Sequence, residues 1–106
     1  RGIELNKIFG TLHYPGHSGG KGNGKTLNIP TATSSFHNYA VEWNAIEIKF
    51  YIDNELYHTV ANNESIPFNH NFFILLNLAI GGNFGGTVDP LFAIDSMEID
   101  YVRVFQ

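Results

Sequence analysis

The sequence has no cysteine, one tryptophan, one methionine and four prolines in 106 residues. Without thiols there is no disulfide framework, no thiolate nucleophile and no cysteine-based zinc site. The five histidines are scattered, and none forms an H-E-x-x-H pair. Charge is sparse: 15% of residues are Asp, Glu, Lys or Arg, and the net charge is −4. A chain so poor in base lacks the positive stripe of a nucleic-acid binder. No apolar run approaches the roughly 18 residues of a membrane-spanning helix, and no stretch reads as a signal peptide. Neither nucleic acid nor membrane is therefore an expected partner. No nucleophile elbow G-x-S-x-G occurs, which leaves little support for serine-hydrolase chemistry. There is no internal repeat and no convincing 3.6-residue periodicity. The first residue is Arg1 rather than Met, so a mature or trimmed form is expected.

What is present suits a β protein: nine Phe, five Tyr and eleven Gly. The length allows one small domain, burying roughly 60–70% of its unfolded surface. Residues 7–14 (K-I-F-G-T-L-H-Y) alternate as a strand, with Ile8, Leu12 and Tyr14 on one face and Phe9, Thr11 and His13 on the other. Half of residues 15–24 are glycine, which makes them a surface loop between strands, beside a cleft if one exists. Residues 25–29 form a short strand ended by Pro30. Residues 37–43 place Tyr39, Val41 and Trp43 on one face. Residues 47–53 place Ile48, Phe50 and Ile52 inward, with Glu47, Lys49, Tyr51 and Asp53 on a wet face. Asp53-Asn54 is turn chemistry leading into a return strand over 55–60. A polar loop over 61–70 contains Pro67.

Residues 72–80 (F-F-I-L-L-N-L-A-I) are apolar but for Asn77. Such a run predicts a central strand buried on both faces. Gly81, Gly82, Gly85 and Gly86 then free the backbone for a tight loop carrying Asn83 and Phe84 at its tip. Residues 96–105 (S-M-E-I-D-Y-V-R-V-F) predict a last strand. Seven short strands with polar turns argue an antiparallel sandwich.

Four chemistries can be weighed on these residues. Glu98 and Asp100, two apart on a strand, face the same way and could divide acid and base roles, with Asp95 nearby. Their commoner meaning is a solvated face, or a cation site completed by backbone oxygens. Serine-triad chemistry has no elbow to stand on. The segments G-G-K-G-N-G and G-G-N-F-G-G share only glycine content with phosphate loops and lack the Walker lysine pattern. The fourth is sugar binding: an aromatic ring such as Phe84 covers the apolar face of a pyranose, and Asn77, Asn83 and His13 can bond hydroxyls, although composition alone does not establish it. The same aromatics also suit an ordinary core.

Five ordered blocks carry a resemblance that spans nearly the whole chain. They are G-T-L-H-Y (10–14), F-H-N-Y-A-V-E-W (36–43), I-K-F-Y-I-D (48–53), F-F-I-L-L-N-L-A-I-G-G-N-F (72–84) and M-E-I-D-Y-V-R-V-F-Q (97–106). The sequence resembles the C-terminal part of glycoside hydrolase family 16, laminarinase type. The resemblance implies an all-β, antiparallel β-jelly-roll sandwich, concanavalin-like, of which residues 1–106 are the C-terminal portion. It implies endo-hydrolysis of β-1,3-glucan, or of mixed β-1,3/1,4-glucan, with retention, in a secreted, extracellular enzyme. It implies no cofactor for the chemistry and, as in many members, a structural calcium. His13 resembles the histidine beside the catalytic strand, Asn77 the cleft-facing amide, and Phe84 stands where the family commonly has tryptophan. Asp100 resembles a calcium-binding aspartate, and Trp43 is expected in the core.

One departure is large. The family's catalytic E-x-D-x-x-E, or shorter E-x-D-x-E, precedes the G-T-x-H block. Here residues 1–9 precede it, and Glu4 is their sole carboxylate. Retention needs two carboxyl groups about 5–5.5 Å apart, so no catalytic residue is expected in this chain. The segment 93–98 (A-I-D-S-M-E) imitates the motif, but its neighbours align with the family's last strand, so Asp95 and Glu98 are incidental. The expected partners are β-glucan and the N-terminal part of the same domain. The alternative is a non-catalytic glucan-binding module. Alone, the chain is expected to be poorly soluble or partly folded, with open sheet edges.

Overall fold

The computed structural model describes residues 4–66 and 68–106. Pro67 of the 61–70 loop, and residues 1–3, lie outside the described residues. Among the described residues, five strands pair into two antiparallel sheets. β1 (Lys7–Leu12) pairs with β2 (Asn23–Asn28), Ile8 opposite Leu27 and Leu12 opposite Asn23. β3 (Tyr39–Trp43), β4 (Glu47–Ile52) and β5 (Glu55–Ala61) form a meander with β4 in the centre. A single helical turn, α1 (Gly82–Gly85), follows much later.

Local chemistry fixes each reversal. Asp53 and Asn54 sit at φ +47° and +68°, the left-handed pair that a two-residue hairpin turn requires and that these side chains tolerate. Between β3 and β4, the Asn44 side-chain oxygen accepts the backbone N–H groups of Ile46 at 2.8 Å and Glu47 at 3.0 Å, an Asx turn. Pro15 and Gly16, the latter at φ +81°, reverse the chain between Tyr14 and His17, whose backbones exchange hydrogen bonds of 3.1 and 2.8 Å.

The sheets pack face to face through the alternation predicted for β1 and β4. Ile8, Gly10 and Leu12 are buried while Phe9 between them is 39% exposed. Ile48, Phe50 and Ile52 are buried beneath the wetter Glu47, Lys49 and Tyr51. Leu12, Ile48, Phe50 and Val60 make the core, flanked by Tyr14, Tyr57, Ile66 and Phe68. Each such side chain contributes roughly 1.5–3 kcal/mol when fully buried. Opposite β4, the β5 register slips between Phe50 and Tyr51 and leaves Tyr57 unpaired. This bulge twists the strand and leans Tyr57 over Gly10, where a Cβ would lie 2.5 Å from the Tyr57 hydroxyl. Asn62, buried at 5% exposure, ties the far end of the sheet. Its amide donates to the Asn44 carbonyl at 2.6 Å and to Asn69 Oδ1 at 3.1 Å.

Three expectations are corrected. Residues 72–80 join no ladder and are exposed throughout, Phe73 at 81% and Leu75 at 77%. Residues 96–105 likewise form no strand and are exposed. Trp43 is 51% exposed, its ring perpendicular to Phe72 at 6.5 Å, rather than in the core. The physical reason is shared: a doubly buried strand needs a ladder partner and cover on each face, and the described residues offer neither. The smaller boundary shifts have local causes. β2 begins at Asn23 because Gly24 accommodates Thr11 across the ladder, and residues 37–38 give up ladder bonds for contacts to Asp53.

The loose half shows in the dimensions. The radius of gyration is 15.3 Å, against about 13 Å for a closed domain of this length. Accessible surface is 8553 Å², against roughly 5,900 Å² for a closed monomer of this mass.

Candidate functional site

The outward face of β1 carries the site. Inward alternation of Ile8, Gly10 and Leu12 forces Phe9 and Thr11 outward, and His13 follows one residue past the strand. Glycines opposite make room for them. A Cβ on Gly24, the ladder partner of Thr11, would stand 2.5 Å from the Thr11 hydroxyl oxygen. A Cβ on Gly22 would stand 2.6 Å from the Thr11 methyl and 2.8 Å from the His13 ring. The glycine-rich stretch is therefore a fitted wall, and Thr11 and His13 lean over the same backbone.

At the other end of this row stands Phe84. Gly81, Gly82 and Gly86 adopt φ of +70°, +80° and +80°, a course that strongly favours glycine. It places α1 so that the Phe84 ring meets Phe9 edge-on, 5.0 Å between centroids at 73°. Lys7, ion-paired with Glu4 at 2.9 Å, holds its ammonium 5.9 Å from the Phe9 ring centre. Phe9, with Phe84 against it, and His13 thus belong to one face, Phe9 and His13 about 13 Å apart along the strand direction at ~3.3 Å per residue. Phe9 was not singled out from sequence, although its place in the alternation with Thr11 and His13 was the available signal.

Asn77 is exposed within residues 72–80. Among the described residues, no hydrogen bond or ladder joins it to His13 or Phe84. Asp100 is exposed. Calcium takes six to eight oxygens, and among the described residues no three His, Asp or Glu side chains gather; Asp100 alone does not fit a calcium ion. The Asp95 carboxylate accepts its neighbour Ser96's N–H at 2.8 Å, a local turn rather than an acid/base arrangement.

A second cluster escaped sequence reading because it joins positions 16 apart. His37 Nδ1 lies 2.6 Å from Asp53 Oδ2, and His37 Nε2 lies 3.0 Å from the Thr31 hydroxyl. The other Asp53 oxygen accepts the Asn38 N–H at 2.8 Å. The hydrogen bond to Asp53 raises the His37 pKa against the opposing effect of burial, with Thr31 adding to the rise. The same bond, then that from Asn38, lowers the pKa of Asp53. Chemically the line is a fastener between the loop before β3 and the β4–β5 turn. On the wet face of β4, the Tyr51 hydroxyl donates to Glu42 at 2.8 Å, and Lys49 pairs with Glu47.

Two antiparallel sheets over one core, with an aromatic, a hydroxyl and an imidazole lined along one outer strand, define a β-sandwich with a polar-aromatic outer face. The chain belongs to the glycosyl hydrolases family 16, whose family model matches residues 2–103, and its fold is that family's antiparallel β-jelly-roll sandwich. It is 33% identical to the beta-glucanase of Rhodothermus marinus over 99% of its own length and 41% of that protein. It is 34% identical to the glucan endo-1,3-beta-glucosidase of Cryptopygus antarcticus, over 97% of its length and 45% of that protein. The endo-beta-1,3-glucanase structure from Pyrococcus furiosus superposes with a TM-score of 0.52 at 36% identity, over 56% of this chain and 24% of that one. The chain thus spans less than half the length of these relatives.

Proposed function

We propose that residues 1–106 are the C-terminal portion of one β-sandwich domain that hydrolyses β-1,3-glucan internally with retention. The observation that carries this reading is the outward row of β1, closed at one end by Phe84, in a member of this family. Phe84 stacks on a glucosyl ring, His13 bonds hydroxyls or the leaving-group region, and Asn77 supplies an amide to the groove floor once residues 72–80 are paired. The nucleophile and the acid/base come from outside this chain, on a segment bearing E-x-D-x-x-E, the two carboxyl groups about 5–5.5 Å apart as retention requires.

The exposed apolar segments support a partner for the sheets. The surface in excess of a closed monomer, about 2,600 Å², is some three times one partner's side of a standard interface. The N-terminal part of the same domain would cover it by adding ladders beside 72–80 and 96–105. Asp100 would then be one ligand of a structural calcium whose other oxygens come mainly from that part. A polymeric glucan substrate, too large to be taken up intact, supports a secreted, extracellular enzyme.

The test mixes this chain with an upstream polypeptide bearing E-x-D-x-x-E, then measures reducing ends released from laminarin and the anomer formed first. Cleavage by the mixture alone, with β-anomer product, is expected. Binding of laminarin with no cleavage would overturn the enzymatic reading in favour of a glucan-binding module. Calcium belongs in the same experiment: it should raise the mixture's melting temperature, and Asp100→Asn should remove that rise.

A further inference from the structure

Phe9 has no core duty: it points away from Ile8, Gly10 and Leu12, and is 39% exposed. Its ring nevertheless has a defined neighbour, Phe84, at 5.0 Å and 73°. Edge-to-face is the arrangement that aromatic quadrupoles favour, and it fixes ring orientation as well as distance. Phe84 cannot fix itself. It stands on a four-residue turn, 56% exposed, with no buried residue in that turn. Its backbone is set by Gly81, whose absent Cβ leaves room for Val88 at 2.8 Å, and by Gly82 and Gly86 at positive φ. The Phe84 ring is set by Phe9.

We propose that Phe9 is a positioning residue for sugar binding: with Phe84 it forms an aromatic corner that receives one glucosyl ring at the end of the row opposite His13. The inference rests on the proposed glucan-binding reading and adds a residue to it. The open side of Phe84 covers the apolar C–H face of the pyranose, while the edge-to-face contact with Phe9 holds the Phe84 ring in orientation. Lys7, 5.9 Å from the Phe9 centroid and anchored by Glu4, supplies an ammonium at the rim able to donate to a hydroxyl. The occupant is a neutral hexopyranose within a chain, since the corner offers one flat face and edge donors and no anion clamp.

The test uses the 106-residue chain paired with the upstream polypeptide, both motif glutamates of the latter changed to Gln so that nothing is cleaved, and a soluble β-1,3-glucan oligosaccharide, with affinity read by calorimetry. Phe84→Ala and Phe9→Ala should each weaken binding about 2- to 12-fold, the worth of one aromatic pairing. The double variant should be no weaker than the worse single, because Phe9 acts through Phe84. Phe9→Tyr should restore binding, since the ring is retained. In Phe9→Ala the Phe84 ring-proton shifts should move while the amide shifts of β4 stay in place, which separates repositioning from unfolding. Unchanged affinity in Phe9→Ala, with Phe84→Ala weakened, would overturn this inference and leave the glucan reading standing. Multiplying losses in the double variant would also overturn it. A wild-type pair of polypeptides with no affinity for the oligosaccharide would overturn both.

Discussion

Gly10→Ala tests the packing of the two sheets at its tightest point. Gly10 is not among the positive-φ glycines, so alanine is allowed by the backbone and the effect is steric. Its Cβ would lie 2.5 Å from the Tyr57 hydroxyl oxygen and 3.0 Å from both Tyr57 Cζ and Phe50 Cδ1. Carbon contacts prefer about 3.5–4.0 Å, so both rings must retreat. Phe50 is 8% exposed and stacked on His58 at 5.4 Å, which leaves it little room. Overpacking of this kind costs about 1–3 kcal/mol. Loss of glycine's unfolded-state entropy offsets about 0.4–1 kcal/mol of that. A net loss of about 1–2 kcal/mol is expected, read by urea unfolding and by faster hydrogen exchange at the Ile48, Phe50 and Ile52 amides. Tyr57→Phe removes the closest atom, so the Gly10→Ala/Tyr57→Phe pair should recover part of the loss, a coupling visible in a double-mutant cycle. Stability of Gly10→Ala within ~0.5 kcal/mol of wild type, or no coupling to Tyr57, would refute the close sheet contact.

Other outcomes follow from the same packing. Asn62→Ala should cost about 1–3 kcal/mol, because it strips the Asn44 carbonyl of a buried donor; denaturant melts measure it. Gly22→Ala should displace the His13 ring, seen as a change in its imidazole proton shifts, while the β4 amides hold their protection. The His37–Asp53 pair should stabilise the fold most between about pH 4 and 6.5. The raised His37 pKa gives stability that is complete below 6.5 and lost as pH rises through its folded value. The depressed Asp53 pKa gives stability present above 3.8 and lost as pH falls through its folded value. Asp53→Asn keeps the left-handed turn, so the melting-temperature difference from wild type across pH isolates the pair from His58, whose pKa burial lowers. The chain alone should bind a hydrophobic dye such as ANS through residues 72–80, and the upstream half of the domain should abolish that signal; dye fluorescence unchanged on mixing would count against the shared sheet.

Sequence alone determined the local grammar. Strict alternation in 7–12 and 47–52 dictated which side chains go inward, because a strand's period of two leaves no choice once one face is apolar. Asp53-Asn54 dictated the hairpin, and the ordered blocks dictated the family. The glycines of 81–86 marked the turn that carries Phe84. Tertiary structure decided the rest, since pairing and cover are properties of neighbours. The apolar run 72–80 has the composition of a buried strand yet lies exposed, for strand identity depends on a ladder partner that composition does not encode. The Phe9–Phe84 corner and the His37–Asp53 fastener likewise join residues far apart in the chain, and only folding in three dimensions brings their atoms within contact distance.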